Sequence, residues 1–156
     1  MANKFCLNVN LSSFSLTQWC YWDFNSFCKI GDSSFAASED GIFELKGDTD
    51  AGENIDSFFE LILSDFGINN MKRIRSIYVG GEANGALTLS VKDDENNSRA
   101  YTLNLTSGNV QSSGKVSVGR NGIGRYWQIR IDNTGGAYFA IDDIEILAII
   151  LAQKPR

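Results

Sequence analysis

The sequence contains no histidine among its 156 residues. This absence excludes the Ser-His-Asp and Cys-His nucleophile pairs, and it excludes zinc sites that depend on imidazole ligands. Carboxylate pairs, lysine or tyrosine chemistry and hard-metal sites remain, and no two acidic residues have a spacing that indicates glycoside hydrolysis. We therefore expect that the chain is not an enzyme and that it has no catalytic residues.

Proline and cysteine are also scarce, with one proline and three cysteines. Pro155 lies near the end of the sequence, so the segments before it lack the residue that cannot donate a backbone N–H to a sheet. The cysteines, at positions 6, 20 and 28, have no C-x-x-C spacing, and we expect buried free thiols. The longest apolar run, residues 146–152, is about a third of a membrane span. We expect no membrane association, and residues 1–8 lack the apolar stretch of a secretory signal.

Apolar side chains recur at every second position in most segments, and none sustains the helical period of 3.6. Leu87, Leu89 and Val91 alternate with polar residues, and so do Trp127, Ile129 and Ile131. This alternation predicts antiparallel strands with one apolar and one polar face. The predicted strands cover residues 5–11, 26–30, 34–38, 42–46, 57–65, 72–80, 86–92, 100–105, 115–118, 125–132 and 138–151.

These strands predict an all-β fold, organised as an antiparallel, jelly-roll-like β-sandwich over residues 57–151. An N-terminal aromatic arm over residues 1–24 and a β-meander with an acidic loop over residues 25–56 precede the sandwich, and residues 152–156 form a tail. The Ile-Asp-Asp-Ile run that ends at Ile144 is similar to the closing strand of many jelly-roll carbohydrate-binding modules. Strict alternation would place Asp142 on the same face as Ile144 and Ile146, at the mouth of the core.

Acidic and basic residues separate along the chain. Residues 1–66 contain three lysines and eleven acidic residues, whereas residues 67–156 contain eleven basic and eight acidic residues. Such asymmetry favours head-to-tail packing of identical copies. The basic residues are dispersed, so we expect no nucleic-acid partner. Arg73 and Arg75 share one face of a predicted strand, with Lys72 on the other face, and we expect both arginines to contact a neighbouring protein.

Aromatic residues are concentrated in the segment Trp19-Cys-Tyr-Trp-Asp-Phe24. Aromatic side chains dominate the energetics of cores and protein interfaces, so we interpret Trp19, Tyr21, Trp22 and Phe24 as interface candidates. Their faces would also suit the stacking of pyranose rings. A carbohydrate-binding module that recognises a host-surface glycan is therefore the alternative function, and it requires these rings to be exposed.

The segment Gly47 to Asp56 is a predicted acidic loop. Asp48, Asp50 and Glu53 are candidate ligands for Ca²⁺, which prefers oxygen donors. The spacing departs from a calcium-binding EF-hand, because Gly52 stands where a third oxygen ligand is needed and Phe59 stands at the position of the bidentate acid. We therefore expect a solvated connector, with calcium as the weaker interpretation and no other cofactor.

Three stretches together resemble a family of structural proteins from the tail region of tailed bacteriophages. They are Asp40-Gly-Ile-Phe-Glu-Leu-Lys-Gly-Asp-Thr-Asp-Ala-Gly, Ser64-Asp-Phe-Gly with Lys72-Arg-Ile, and Gly124-Arg-Tyr-Trp-Gln-Ile with Phe139-Ala-Ile-Asp-Asp-Ile-Glu-Ile-Leu. The resemblance covers approximately residues 24–150 and implies no catalytic residue. It implies a multicopy virion protein that contacts copies of itself and other tail or tail-tip proteins, after assembly in the bacterial cytoplasm.

Overall fold

A computed structural model describes residues 5–20, 22–105, 112–120 and 122–151. All the strand pairing within these ranges is antiparallel, and they contain no helix that could cross a lipid bilayer. The prediction of an all-β fold is confirmed. The strands are β1 (Phe5–Val9), β2 (Leu16–Cys20), β3 (Ser26–Ile30), β4 (Ser33–Ser38), β5 (Gly41–Glu44), β6 (Thr49–Asp50), β7 (Glu53–Asn54), β8 (Phe58–Glu60), β9 (Lys72–Ala83), β10 (Leu87–Asp93), β11 (Ser98–Leu103), β12 (Ser112–Ser117), β13 (Trp127–Asn133) and β14 (Phe139–Ile150).

The chain separates into two compact units, residues 1–47 and 48–156. The first unit contains the β1–β2 hairpin and a three-stranded meander in the order β3-β4-β5. Two-residue turns join the meander strands, and Gly31 supplies the positive φ of 60° that the first of these turns needs. The predicted meander is therefore present, with its strands within two residues of the expected bounds.

The second unit is a β-sandwich made of two antiparallel sheets. Their strand orders are β11-β10-β13-β8 and β12-β9-β14. The chain crosses between the sheets after β8, β9, β11, β12 and β13, so strands distant in sequence become neighbours. These crossings are the Greek-key connections of a jelly roll, which in its full form has eight strands. The described residues contribute seven strands to the two sheets.

The core of the second unit lies between the two sheets. Leu89 faces Ile131 across the β10–β13 pair, and both side chains are fully buried. The opposite sheet contributes Ile77 and Val79 from β9, also fully buried. Trp127 is the largest fully buried side chain. The core positions predicted from the alternation in β10 and β13 are all confirmed.

The strand predicted over residues 57–65 is shorter than expected, because only Phe58–Glu60 pairs regularly with β13. Pairing resumes at Ser64, which forms a bridge to Trp127. Ile62 and Leu63 lie between these two contacts, where they are exposed. The chain therefore leaves the sheet for a few residues and returns, which periodicity alone does not indicate.

The expected position of Asp142 on the core face is wrong. The register of β14 against β9 shifts between Ile141 and Asp143, which is a β-bulge, and Asp142 is exposed there. A bulge inserts one extra residue and reverses the alternation beyond it. Ile141 and Ile144 consequently both pack against the core, although strict alternation would place them on opposite faces.

Two expectations for the first unit are also wrong. No strand is predicted between residues 11 and 26, but Leu16–Cys20 forms β2, in which Leu16 pairs with Val9. The cysteines were expected to be buried, yet Cys28 is exposed and Cys6 is only partly buried. Cys28 lies in the first strand of the meander, and all five residues of that strand are exposed.

Candidate functional site

Five aromatic rings of the first unit form one connected group, which we name the aromatic cluster. Its members are Trp19, Trp22, Phe24, Phe27 and Phe43. The ring centroids of Trp19 and Trp22 are 4.4 Å apart, and those of Trp22 and Phe24 are 5.3 Å apart. Phe24 contacts Phe43 at 5.6 Å and Phe27 at 6.0 Å. Such separations are typical of packed aromatic pairs.

The structure brings together three of the four predicted aromatic candidates, Trp19, Trp22 and Phe24; Tyr21 lies outside the described residues. The cluster also contains Phe27 and Phe43, which were not predicted and which join it from the meander strands β3 and β5. Apolar residues do not alternate in these two short strands, so no local pattern indicates either ring. Trp19 is 36% exposed and Trp22 is half-buried, so neither ring is removed from solvent.

The β1–β2 hairpin presents an uncovered apolar face. Phe5, Leu7 and Val9 alternate along β1, and Leu16 lies directly opposite Val9. Residues that face each other across an antiparallel pair lie on the same side of the sheet, so these four side chains form one stripe. Each of them is at least 46% exposed. We name this stripe the hairpin face.

The tip of the same hairpin is also apolar. Leu11 and Phe14 are 83% and 79% exposed. Phe14 has a φ of 56°, in the left-handed region that bulky residues rarely adopt. The side chain of Asn10 accepts hydrogen bonds from the backbone N–H groups of Ser12 and Ser13 and fixes this turn. Phe14 therefore combines an exposed ring with a strained backbone conformation.

Arg73 and Arg75 line a groove on the outer face of the sheet β12-β9-β14. Lys115 and Arg120 line it too, together with Ser76, Ser117, Val118 and Ile149. We name this feature, with a volume of about 440 Å³, the basic groove. The structure therefore brings the two predicted arginines together with two further cations that are more than 35 residues away in sequence. No sequence signal linked these four residues.

The predicted acidic loop contains a short hairpin, β6–β7, which we name the acidic hairpin (residues 48–56). Asp50 faces Glu53 across the hairpin, and the turn uses the positive φ values of Ala51 and Gly52. Asp48, Asp50 and Glu53 are all exposed. Within the described part of the chain, no three acidic or thiol side chains are grouped closely enough to hold a metal ion. The calcium interpretation therefore gains no support.

A pocket of about 390 Å³ opens at one side of the sandwich, where β8 and β14 are the edge strands of the two sheets. Phe59 and Leu61 line it from one sheet, and Phe139, Ile141 and Ile144 line it from the other. The eighth strand of a complete jelly roll would lie beside β14 at this place. The sandwich is therefore open along this side within the described residues.

Comparisons with known proteins do not identify the chain. No protein-family model, no curated protein and no solved structure matches it. The surfaces described above are therefore interpreted from their own geometry and charge.

Lys72 is the least expected buried side chain, since it is fully enclosed at the start of β9. Its Nζ donates a hydrogen bond to the backbone carbonyl of Arg125. Burial lowers the pKa of Lys72; the nearby Asp65 carboxylate opposes this shift and the Arg125 guanidinium adds to it. The alternation predicted that Lys72 shares a face with Ile74, and the structure confirms that both point into the core.

We expect the buried Lys72 to make the free energy of unfolding of the sandwich increase with pH in the alkaline range. Its pKa is lower in the folded protein than in the unfolded chain, so the unfolded chain binds more protons as the pH approaches about 10.4. The free energy of unfolding contributed by Lys72 therefore rises with pH in this window. Urea unfolding at increasing pH should show that Lys72→Met lacks this rise, whereas the half-exposed control Lys92→Met retains it. Equal pH slopes in the two variants would contradict the assignment.

Proposed function

We propose that the chain is a non-enzymatic structural protein of a multisubunit assembly, and that its first unit contacts neighbouring subunits. One observation carries this proposal. Within the described residues of the first unit, only Ala36 is buried, whereas large apolar side chains are exposed along both strands of the hairpin, at its tip and on the meander. A unit with so little buried apolar surface is stabilised when another surface covers its exposed apolar side chains.

The small size of the first unit supports this proposal. A domain of 47 residues buries too little apolar surface to be stable without disulfides, metals or association with other chains. An isolated two-stranded hairpin is marginal in water. The four side chains of the hairpin face are about half exposed, so covering each one would contribute about half of the value for full burial, which is about 0.7–1.5 kcal/mol. A partner that covers this face therefore stabilises the unit and is bound by the same contact.

We propose a tailed-phage virion as the assembly, with the chain present in several copies in the tail or tail tip. The support is the resemblance of the motifs. In the fold, these motifs occupy structural positions: Asp40-Gly41 lies at a meander turn, the Gly-Asp-Thr-Asp run forms the acidic hairpin, and Arg125-Tyr-Trp leads into β13. Other virion proteins and further copies of the chain are the proposed partners.

A carbohydrate-binding module is the second candidate, because Trp19 and Phe27 keep exposed ring surface. The ring planes of Trp19 and Trp22 are inclined by 38°, and Phe24 meets Trp22 edge-on at 73°. Sugar stacking uses a flat exposed ring face, whereas here the rings contact one another in inclined and edge-on arrangements. This geometry favours packing within the unit over a sugar platform, and a glycan array with the intact chain separates the two functions.

We expect polar substitutions on the hairpin face to reduce assembly. The variant carrying Leu7→Ser and Leu16→Ser should be incorporated into particles at least about tenfold less than the parent chain, since each change removes exposed apolar area available to a partner. Ile62→Ser is the matched control, because Ile62 is 83% exposed but lies in the other unit. Quantitative mass spectrometry of purified virions measures incorporation. Absence of the parent chain from virions would overturn the virion proposal.

A further inference from the structure

The four cations of the basic groove lack acidic partners in the part of the chain that the structure describes. Within the described residues, no carboxylate lies within ion-pair distance of Arg73, Arg75, Lys115 or Arg120. Arg130 on the other sheet shows the contrast: its guanidinium is 2.6 Å from Asp132 and 3.6 Å from Glu60, and it stacks over the ring of Phe58 at 3.7 Å. The groove therefore presents a concentrated positive charge that the described residues do not neutralise.

The acidic hairpin has the opposite composition. Four of its nine residues are acidic, at positions 48, 50, 53 and 56, and none is basic. All four side chains are exposed, and none forms a salt bridge in the described part of the chain. The hairpin and the groove are thus matched in charge, with four carboxylates against four cations.

The two features lie at opposite ends of the same sandwich. The side chain of Asn133 anchors the acidic hairpin, accepting from the N–H of Ser57 at 2.9 Å and donating to the carbonyl of Ile55 at 2.8 Å. Asn133 ends β13, immediately before the loop that leads into β14 at Phe139. The groove lies at the far end of β14, where Ile149 pairs with Arg73.

Ten residues of extended strand separate these ends, which corresponds to about 30 Å. The acidic hairpin cannot reach the groove of its own sandwich across that distance. We therefore propose that the basic groove binds the acidic hairpin of a second copy of this chain. The contact joins two different surfaces, so it is head-to-tail, and repetition of the contact produces a ring or a filament.

The distribution of charge on the same sheet face disfavours the binding of an extended polyanion such as nucleic acid. The face becomes acidic at the level of Lys115, which lies over the Tyr78 ring at 5.3 Å. Glu145 pairs with Tyr78, and Asp143 pairs with Gly80. A long anionic chain that follows the strands would meet these carboxylates, whereas a short hairpin contacts the basic end alone. The groove therefore fits a compact acidic segment.

This inference deepens the proposed function, since it names one contact between copies, and charge reversal of the purified full chain tests it. We expect self-association, measured by sedimentation velocity, to weaken as NaCl rises from about 50 mM to about 500 mM. The groove variant carries Arg73→Glu and Arg75→Glu, and the hairpin variant carries Asp50→Lys and Glu53→Lys. Each should raise the dissociation constant at least about tenfold, because each reversal leaves two positive and two negative side chains on the altered surface and so removes its net charge.

Restoration is the decisive measurement. A chain with all four substitutions, or an equimolar mixture of the two variants, should associate more strongly than either variant alone, because the introduced glutamates can pair with the introduced lysines. The control Lys92→Glu shifts the net charge in the same direction as the groove variant, but it lies in β10 of the other sheet, and this variant should associate as the parent does. Circular dichroism of each variant measures whether it is folded.

Two results would overturn the inference. One is that neither reversal weakens self-association, or that the combined variant does not restore it. The other is binding of a DNA oligonucleotide that the groove variant loses while self-association is unchanged, which would assign the groove to nucleic acid. Neither result bears on the presence of the chain in virions, so failure here is distinguishable from failure of the proposed function.

Discussion

Replacing Trp127 by alanine should cost the sandwich about 3–5 kcal/mol of its free energy of unfolding. Trp127 is fully buried in β13, and its Nε1 donates a hydrogen bond to the carbonyl of Gly124 at 3.2 Å. The substitution leaves a cavity between the sheets and removes the donor from that carbonyl. A loss of this size is a large part of the 5–15 kcal/mol typical of domain stability, so we expect a substantially unfolded population near 37 °C.

The neighbouring residue provides the control for this prediction. Tyr126 is 38% exposed, and Tyr126→Ala should cost less than half as much as Trp127→Ala, because a partly exposed ring buries less apolar surface. Denaturant unfolding followed by circular dichroism measures both variants without relying on the fluorescence of the replaced tryptophan. Equal losses in the two variants would show that Trp127 is not a centre of the core.

Gly81→Ala should be the second strongly destabilising change, with an expected loss of about 2–5 kcal/mol. Gly81 lies in β9 opposite Ile141, where β14 bulges, and has a φ of 155°. A Cβ at this position would overlap the backbone carbonyl oxygen of Ala140. Because backbone atoms in a paired strand cannot move aside independently, the strand pairing itself must shift.

A glycine without such a neighbour is the matched control for Gly81. Gly119 has only the Tyr101 hydroxyl, at 3.8 Å, near the position that a Cβ would occupy, which is an ordinary contact distance. Gly119→Ala should therefore leave the free energy of unfolding within about 0.5 kcal/mol of the parent. Similar thermal denaturation midpoints for the two alanine variants would contradict the proposed close approach at Gly81.

The core of the sandwich is predictable from sequence because it depends on local alternation. Leu87, Leu89 and Val91 alternate with polar residues in the sequence, so in a strand their side chains lie on one face. That apolar face packs into the core. The bulge at Asp142 is different. It depends on Gly80 and Gly81 in β9, where the lack of side chains lets β14 approach closely, and no local pattern in β14 indicates this.

The candidate surfaces also differ in whether the local sequence predicts them. Trp19, Trp22 and Phe24 are neighbours in sequence, so composition alone located most of the aromatic cluster. The basic groove could not be found in this way, because Arg73 and Lys115 become neighbours only when β12 pairs with β9. Lys72 shows both aspects: alternation predicts its face, whereas its bond to the Arg125 carbonyl depends on the bridge between Lys72 and Gly124.

The open side of the sandwich also has a consequence for solubility. Within the described residues, β14 is a free strand edge of twelve residues beside an apolar pocket, and such an edge is a template for uncontrolled strand addition, which leads to aggregation. Three carboxylates on β14, at positions 142, 143 and 145, are exposed along this strand. Charges on an edge strand oppose such pairing. These acidic residues therefore oppose the addition of a further strand at this edge of the sandwich.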